Sequence, residues 1–294
     1  MSVDQLIQAL YSGILYGSIY GLMALGLTLI WGALKMLNLA HGALYLVGGY
    51  AAWIAITMLD LPVIFMLVFG VVGAAIAGGL LHFLVVKPVL NSPGRENASL
   101  VATLGVAIMI ESGVLLMFGP QNQQMDPILE GVILIGTVLI TYQGLLIIAA
   151  SVLSLVLMSI FLKSTRQGMA IRAVSQNMDA AKLMGIPTLT AFLIVLVISA
   201  ALAGLAGVLL SSIFFIYPTA GFNPMIKALL VTIFGGLGSV PGTLYAAYII
   251  GLLEAFLQVF VGGTWALPVL FLFMIVMLII RPNGLFGLGE VRRL

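Results

Sequence analysis

Long apolar runs, separated by few charged residues, occupy most of this 294-residue chain. Hydrophobic residues make up 63% of it and charged residues only 7%, against about 25% charged residues in a typical soluble domain. Such a chain cannot cover a globule with a water-compatible surface, so a soluble enzyme, a nucleic-acid-binding protein and a disordered chain are excluded. The runs are continuous rather than alternating, which also excludes an outer-membrane barrel.

The length of the runs predicts an all-α fold, a polytopic transmembrane helical bundle. A helix needs about 20 apolar residues to cross the roughly 30 Å core of a bilayer, so we expect about eight to nine spans. They form a single transmembrane domain over residues 1–294, and the polar stretch between Gly119 and Tyr142 is expected to be an exposed loop. The expected spans are 6–30, 36–58, 62–86, 98–118, 139–162, 189–212, 243–261 and 266–281, with a shorter run at 225–238.

The positive charges predict the orientation of the bundle, because Lys and Arg are enriched in cytoplasmic loops. With the N-terminus outside and 225–238 crossing fully, ten of the eleven Lys and Arg residues fall inside, and Lys227 is the exception. If 225–238 turned back within the membrane, Arg292 and Arg293 would lie outside. We therefore expect a full crossing and a cytoplasmic C-terminus. The ten inner cations are Lys35, Lys87, Arg95, Lys163, Arg166, Arg172, Lys182, Arg281, Arg292 and Arg293.

Small residues recur every four positions in two of the expected spans. Residues at this spacing share one helix face and let two backbones approach closely in lipid. They indicate either an interface with another subunit or close packing within this chain's own bundle. The two rows are Gly13, Gly17 and Gly21, and Gly70, Ala74 and Gly78.

The longest inner segment, about 166–187, predicts a short cytoplasmic helix between Gly168 and Gly185, outside the bilayer. Its apolar face is expected to contain Met169, Ala173 and Met184, and its polar face Arg172, Gln176, Asp179 and Lys182. A solvated loop helix is one interpretation of this pattern. The other is a coupling helix, because Asp179, Ala180, Ala181 and Gly185 have the spacing of the coupling-helix motif in ABC importer permeases.

Further motifs extend this resemblance from about residue 8 to residue 287. They are GLMALGLTLI at 21–30, NLAHG at 38–42, RAVSQ at 172–176, DAAKLMGI at 179–186, AGLAGVLL at 203–210, FGGLGSVPG at 234–242 and RPNGLFG at 281–287. With these motifs in this order, the chain resembles the permeases of the branched-chain amino acid (LivH-type) ABC importers.

The resemblance implies a heteromeric importer in the bacterial cytoplasmic (inner) membrane. Its parts are this multi-pass permease in contact with lipid, a second related permease, two ATP-binding subunits and an extracytoplasmic binding protein, with no nucleic acid. The chain has no phosphate-binding Gly-x-x-x-x-Gly-Lys-Ser/Thr loop, so ATP and Mg belong to the partner subunits. Similar permeases serve Leu, Ile and Val, other amino acids, urea or short amides, and aromatic acids. We expect Arg172, Gln176 and Asp179 to contact an ATPase.

Asn38, His41 and Gly42 form the first candidate part of a translocation path. Asn38 is predicted to cap a helix whose N-terminus attracts a carboxylate, and His41 to donate a further hydrogen bond. The alternative is an ordinary capped helix end near the inner surface, with His41 bonded to a carbonyl group of a neighbouring helix.

Thr232 and the glycine-rich stretch 235–242 form the second candidate part. A helix cannot continue through so many glycines and a proline. One interpretation is a broken helix beside the path, with Thr232 and Ser239 available to the solute; the other is a tight turn at the inner surface. The glycines concerned are Gly235, Gly236 and Gly238.

Three ionisable residues lie within or beside expected spans, where each must face protein or water. Lys227 is expected to extend its ammonium group to the outer surface. Glu111 and Glu254 are expected to pair across the bundle or with a partner subunit. None of the three is predicted to contact the solute.

The sequence offers little support for an enzyme or a metal site. It has no Cys, only two His residues, and neither a His-Glu-x-x-His nor a Gly-x-Ser-x-Gly motif. The alternative to an ABC permease is a stand-alone secondary transporter or channel for a small polar solute. Such a transporter would be expected to carry ion-coupling carboxylates within its spans, where only Glu111 and Glu254 qualify.

Overall fold

The computed structural model describes residues 3–90, 92 and 94–286, so the predicted inner cations Arg292 and Arg293 and the C-terminus lie outside the described residues. Within these ranges the chain consists of helices and one β-hairpin. The helices are α1 (Val3–Leu34), α2 (His41–Thr57), α3 (Phe65–Val89), α4 (Arg95–Phe118), α5 (Tyr142–Ser164), α6 (Arg166–Gln176), α7 (Met178–Leu183), α8 (Thr188–Ser211), α9 (Phe222–Gly235), α10 (Val240–Phe260) and α11 (Gly263–Ile280). The strands are β1 (Val132–Ile135) and β2 (Val138–Thr141).

Seven helices in the described ranges, α1, α3, α4, α5, α8, α10 and α11, are long and apolar enough to cross a membrane. Two expected spans correspond to shorter helices: α2 has 17 residues and begins at His41, and α9 has 14. The expected runs at 98–118 and 189–212 match α4 and α8 closely. The count of eight to nine spans and the orientation stay predictions.

Helix α1 lies at the centre of the bundle, where it contacts α5, α8, α9 and α10. Most of its residues are buried, whereas α4, α5 and α11 bury little of their surface. The outer helices are nevertheless apolar: Leu116 on α4 is 86% exposed and Ile279 on α11 is 78% exposed. Side chains of this kind are stable on the outside of a bundle when lipid, rather than water, surrounds them.

Both rows of small residues pack within this chain, as the second alternative predicts. A Cβ atom added at Gly13 would lie 2.8 Å from the Cα atom of Leu252 on α10, and one added at Gly17 would lie 2.9 Å from that of Tyr248. The second row, on α3, faces α8 in the same way, and Gly78 lies against Ala200. Close backbone contact in these two helix pairs therefore builds the core of the bundle.

The segment predicted as an exposed loop between Gly119 and Tyr142 contains the hairpin, and Val138 is only 1% exposed. That prediction is wrong for 132–141, and α5 begins after β2 rather than at 139. The hairpin covers the start of α1: the Leu139 N–H group donates to Oε1 of Gln8 (2.9 Å), and Thr137 Oγ1 donates to Asp4 Oδ2 (2.6 Å). We call this end of the bundle the hairpin end.

The α6–α7 segment lies at the opposite end. Helix α5 runs beside α1 in the same direction, because Thr141 contacts Tyr11 at its start and Ser151 bonds to the Ser18 carbonyl group further along. The helix that follows α5 is therefore near the C-terminal end of α1, and α6 is in contact with α1. The two ends of the molecule are thus distinguished by the hairpin and by α6–α7.

Candidate functional site

The α6–α7 segment is two short helices rather than the single helix predicted. Thr165 caps the first, since its Oγ1 accepts the Gly168 N–H group at 2.9 Å. Asn177 interrupts the segment and caps the second helix, because its Oδ1 accepts the N–H groups of Asp179 and Ala180 at 3.1 and 3.0 Å. Gly185 follows the segment with φ of 77°, which a residue with a side chain rarely adopts. The predicted stop signal is confirmed.

The face of α6–α7 that packs on the bundle differs from the predicted one. Ile171, Val174 and Ala181 are buried, whereas Met169 and Met184 are exposed. Gly168 is buried because it lies against the end of α5, where an added Cβ atom would be 2.6 Å from Leu162 Cα. Most residues of the predicted ATPase contact face outward: Arg172, Gln176, Asp179, Ala180 and Gly185 are exposed, and Ala181 is not. The segment is therefore anchored by apolar residues and presents a polar surface.

Asn38 and His41 are buried within this chain. Asn38 is not the N-cap predicted for it, because α2 begins at His41; its Oδ1 accepts the Ala40 N–H group at 3.0 Å. The His41 side chain is fully buried, with Nε2 3.0 Å from the Met23 carbonyl oxygen. This is the contact that the alternative interpretation describes. Gly42 lets α2 approach the start of α9, since an added Cβ atom would be 2.6 Å from the Gly221 carbonyl oxygen.

The glycine-rich stretch is a tight turn between α9 and α10. Gly236 and Gly238 have φ of 98° and 85°. Ser239 caps α10 by accepting the Gly242 N–H group at 3.2 Å. Thr232 is buried and donates to the Ala228 carbonyl group at 2.8 Å. Both hydroxyl groups proposed as solute contacts thus bond within the protein.

Backbone from the end of the described chain covers this turn. The Leu285 N–H group donates to the Phe234 carbonyl group at 2.8 Å, and Gly284 lies against Gly236. Gly235 and Gly242 are in close contact across the turn, with an added Cβ at Gly235 2.6 Å from the Gly242 carbonyl oxygen. The geometry is that of the tight-turn alternative, held together by three segments of the chain.

A cluster of charged and hydroxyl groups joins α1, α9 and α10. The Lys227 ammonium group is 2.7 Å from Glu254 Oε1 and donates to the Tyr20 hydroxyl oxygen at 2.8 Å. The Tyr20 hydroxyl in turn donates to Glu254 Oε2 at 2.7 Å, and Gln258 Nε2 donates to Oε1 at 3.3 Å. The predicted pairing of Glu254 across the bundle is confirmed. The prediction that Lys227 extends its ammonium group to the outer surface is wrong, because that group bonds to Glu254 and Tyr20.

This cluster lies on the wall of a cavity of about 250 Å³, which we call the Lys227 cavity. Its wall contains charged, hydroxyl and amide side chains as well as apolar ones. The cavity lies between the middle of α1 and the hairpin end, because the end of α8 and the first turn of α9 complete it. Its lining residues are Tyr16, Ile19, Tyr20, Leu210, Phe214, Asn223, Pro224, Lys227, Glu254 and Gln258.

Sequence reasoning missed the cavity, although it singled out Lys227 and Glu254. The available signal was that a lysine and a glutamate both fall in apolar runs, where an unpaired charge is costly. The two residues are 27 positions apart on different helices, so the pairing depends on how those helices pack. Glu111, the third such residue, lies on α4 and is partly buried.

The apolar helices, the lipid-compatible outer surface and the internal ion pair define a multi-pass helical membrane protein. Comparison with known proteins gives the family. Residues 9–280 match the model of the family described as branched-chain amino acid transport system / permease component. The chain belongs to this family.

Two relatives are similar over nearly their whole length. The high-affinity branched-chain amino acid transport system permease proteins LivH of Salmonella typhimurium (strain LT2) and BraD of Pseudomonas aeruginosa are each 30% identical to the chain, over 98% of it and 97% of the relative. Among solved structures, PsaBC from Streptococcus pneumoniae in complex with Fab matches 95% of this chain and 91% of that chain, with 16% identity and a TM-score of 0.47.

Proposed function

We propose that this chain is the transmembrane permease subunit of an ATP-driven ABC importer, which moves a branched-chain amino acid or a related small amino-acid-like solute inward. The observation that carries the proposal is the family match over residues 9–280. It is supported by relatives whose names describe high-affinity branched-chain amino acid transport and which align from end to end. The bundle described above provides the membrane-spanning part of such a machine.

In this proposal the chain lies in the bacterial cytoplasmic membrane with its N-terminus and hairpin end outside, and it crosses the membrane nine times, through the seven long helices together with α2 and α9. A second permease subunit completes the membrane part, and an extracytoplasmic binding protein delivers the solute to the hairpin end. Two ATP-binding subunits hold ATP and Mg below the α6–α7 end. ATP binding and hydrolysis then drive alternating access.

The α6–α7 segment is suited to receive motion from an ATPase. Arg172, Gln176 and Asp179 present charges and an amide group on its exposed side. On the other side, Ile171 and Val174 are buried against the bundle, so a displacement of the segment moves the helices that it contacts. Polar exposed groups on a buried apolar base are the arrangement that a docking helix requires.

The proposal is tested by reconstituting the chain with its partner subunits in vesicles and measuring leucine uptake. We expect uptake that requires ATP and stops in Asp179→Arg, with the complex still present in the membrane. Glu96→Arg is the matched control, because Glu96 is exposed in the first turn of α4 and lies outside α6–α7. Normal uptake by Asp179→Arg would contradict the docking role. Gradient-driven uptake by this chain alone would favour the secondary-transporter alternative.

A further inference from the structure

The Lys227–Glu254 ion pair lies beside an open volume rather than between tightly packed helices. We propose that the Lys227 cavity is a binding site for the transported solute, in which Lys227 holds the carboxylate group and Glu254 the ammonium group of a zwitterionic amino acid. The inference rests on the proposed function. It adds the location of a solute site, the residues that form it and the chemical groups that they recognise.

The exposure of the Lys227 side chain supports a site that a ligand can reach, whereas Glu254 is buried. The Lys227 side chain is 19% exposed and that of Glu254 5% exposed. A lysine ammonium group has three N–H donors. Tyr20 and Glu254 accept from Lys227, and within the described part of the chain no third acceptor bonds to it. A carboxylate group entering the cavity can therefore bond to Lys227 before the ion pair separates.

A zwitterion is the ligand that this pair can accept without leaving a charge unpaired. When its carboxylate group bonds to Lys227 and its ammonium group to Glu254, each protein charge keeps an opposite charge beside it. An amine without a carboxylate would occupy Glu254 and leave Lys227 unpaired, and an acid without an amine would do the reverse. Unpaired buried charges are strongly unfavourable, so the site selects for solutes with both groups.

Solute binding replaces the Lys227–Glu254 ion pair with two ion pairs of similar strength, so we expect the affinity of the site for the solute to be low. Solute binding gains two charge contacts but breaks the contact between Lys227 and Glu254, so much of the gain is offset. A transport site must release its solute, and moderate affinity serves that purpose. The Tyr20 hydroxyl bonds to both charged groups. It can therefore keep each of them beside the cavity after the contact between Lys227 and Glu254 is broken.

The remaining surface of the cavity fits an aliphatic side chain. Ile19, Leu210 and Phe214 contribute apolar side chains to its wall. Its volume of about 250 Å³ is below the roughly 300–1,000 Å³ of pockets for drug-sized ligands, so it suits a small solute. A wall that offers both charged groups and hydrocarbon side chains matches a small amino acid with a hydrocarbon side chain.

The position of the cavity agrees with inward transport. Asn223 and Pro224 in the first turn of α9 line it, so the positive end of that helix dipole also favours a carboxylate group. The cavity is on the hairpin side of the middle of α1, and α6–α7 lies at the other end. If α6–α7 faces the ATPases, the cavity is on the side from which an importer receives its solute.

The first experiment detects the solute in the cavity directly. The chain has no cysteine, so Asn223→Cys places one labelling site on the exposed part of the cavity wall. Membranes containing the assembled transporter are treated with a water-soluble thiol reagent, with or without leucine. We expect leucine to slow the labelling of this chain at least about tenfold, and isopentylamine or 4-methylpentanoate at the same concentration to have little effect.

A cysteine outside the cavity is the matched control for this assay. Leu134→Cys lies on the hairpin and is 66% exposed, so it should be labelled at the same rate whether or not leucine is present. Protection of Asn223→Cys by the amine alone or by the acid alone would overturn zwitterion recognition. Equal labelling with and without leucine would overturn the site.

The second experiment asks whether the charges themselves are required. In the double variant Lys227→Met with Glu254→Gln, both charges are lost and the side-chain volumes are nearly kept, so a purely structural pair is replaced without an unpaired charge. A solute site predicts at least about tenfold lower leucine uptake by the assembled complex. It also predicts that leucine no longer protects Asn223→Cys from labelling when the two changes are combined with it. Glu111→Gln, which removes a carboxylate group from another helix, should retain uptake.

The outcomes separate this inference from the proposed function. Normal uptake by the double variant overturns the solute site and leaves the permease role intact. If the unmodified complex transports no amino acid, the proposed function fails, and the labelling assay still reports whether the cavity binds leucine. If the double variant does not assemble, the assay on the otherwise unmodified Asn223→Cys transporter decides the question alone.

Discussion

Gly17 and Gly251 allow α1 and α10 to approach until no side chain fits between them. A Cβ atom at Gly17 would lie 2.9 Å from the Cα atom of Tyr248, which is backbone and cannot move aside without moving α10. In lipid, where apolar burial does not drive helix association, such close contacts supply much of the attraction between helices. The position of Lys227 relative to Tyr20 and Glu254 depends on this packing, because they lie on three different helices.

Gly17→Ala is therefore expected to destabilise the chain by about 1–3 kcal/mol, the usual effect of overpacking. The measurement is the thermal unfolding midpoint of the detergent-solubilised protein. Gly105→Ala is the control: Gly105 lies on α4, where an added Cβ atom meets no atom within 4 Å, and removal of a helical glycine favours folding by about 0.5–1 kcal/mol. Equal midpoints for the two variants would show that the α1–α10 contact tolerates a methyl group.

Asn177 determines the form of the α6–α7 segment at the scale of elements. It is the residue at which one helix stops and the next begins, and its side chain accepts two N–H groups of α7. Helix α7 has only six residues, too few to be stable without such a cap and its contact with the bundle. The predicted coupling residue Asp179 is held in place by this cap.

Asn177→Ala is expected to weaken α7 by about 0.5–2 kcal/mol, which corresponds to roughly 2- to 30-fold faster amide exchange in that helix. Hydrogen–deuterium exchange of the peptide over 177–186 measures the effect. Asn177→Asp keeps an oxygen that can accept the same N–H groups and should exchange at the original rate. Unchanged exchange in Asn177→Ala would mean that packing alone, through buried Ala181, holds α7.

The sequence was sufficient to predict the long helices, because an apolar run in a membrane leaves few alternatives to a helix. It failed where neighbours decide the structure. The hairpin at Val132–Thr141 was predicted as a loop, since an isolated two-stranded hairpin is only marginally stable and this one gains hydrogen bonds to Gln8 and Asp4 of α1. The helix face that α6 buries was misjudged because Met169 and Ile171 are both apolar, and only the position of α5 and α1 selects Ile171.

The contacts of the polar and charged residues in the candidate site could also not be predicted from the sequence. Lys227 and Glu254 were recognised as costly in a span, but not as partners, because no local pattern relates positions 27 apart. His41 and Thr232 were considered for the path and prove to bond to carbonyl groups inside the bundle. Buried polar groups near helix ends have this role in most proteins, and only the three-dimensional structure separates them from groups that line a cavity.

The whole molecule is asymmetric along the direction of α1. The hairpin covers one end, and α6–α7 with the exposed Arg172 and Lys182 covers the other. Because Lys and Arg remain in the cytoplasm during insertion, the α6–α7 end is expected to be cytoplasmic and the hairpin end external. The Lys227 cavity then belongs to the external half, so the orientation decides whether its position suits an importer.

Two single cysteines in this cysteine-free chain test the orientation. Leu134→Cys lies on the hairpin and Leu183→Cys on α7, at positions that are 66% and 89% exposed. In spheroplasts, a membrane-impermeant maleimide should label Leu134→Cys and should label Leu183→Cys only after permeabilisation, because the charged reagent cannot cross the bilayer. The reverse pattern would place α6–α7 outside, away from any ATPase. It would contradict the positive-charge argument and the coupling role together, because both require a cytoplasmic α6–α7 segment.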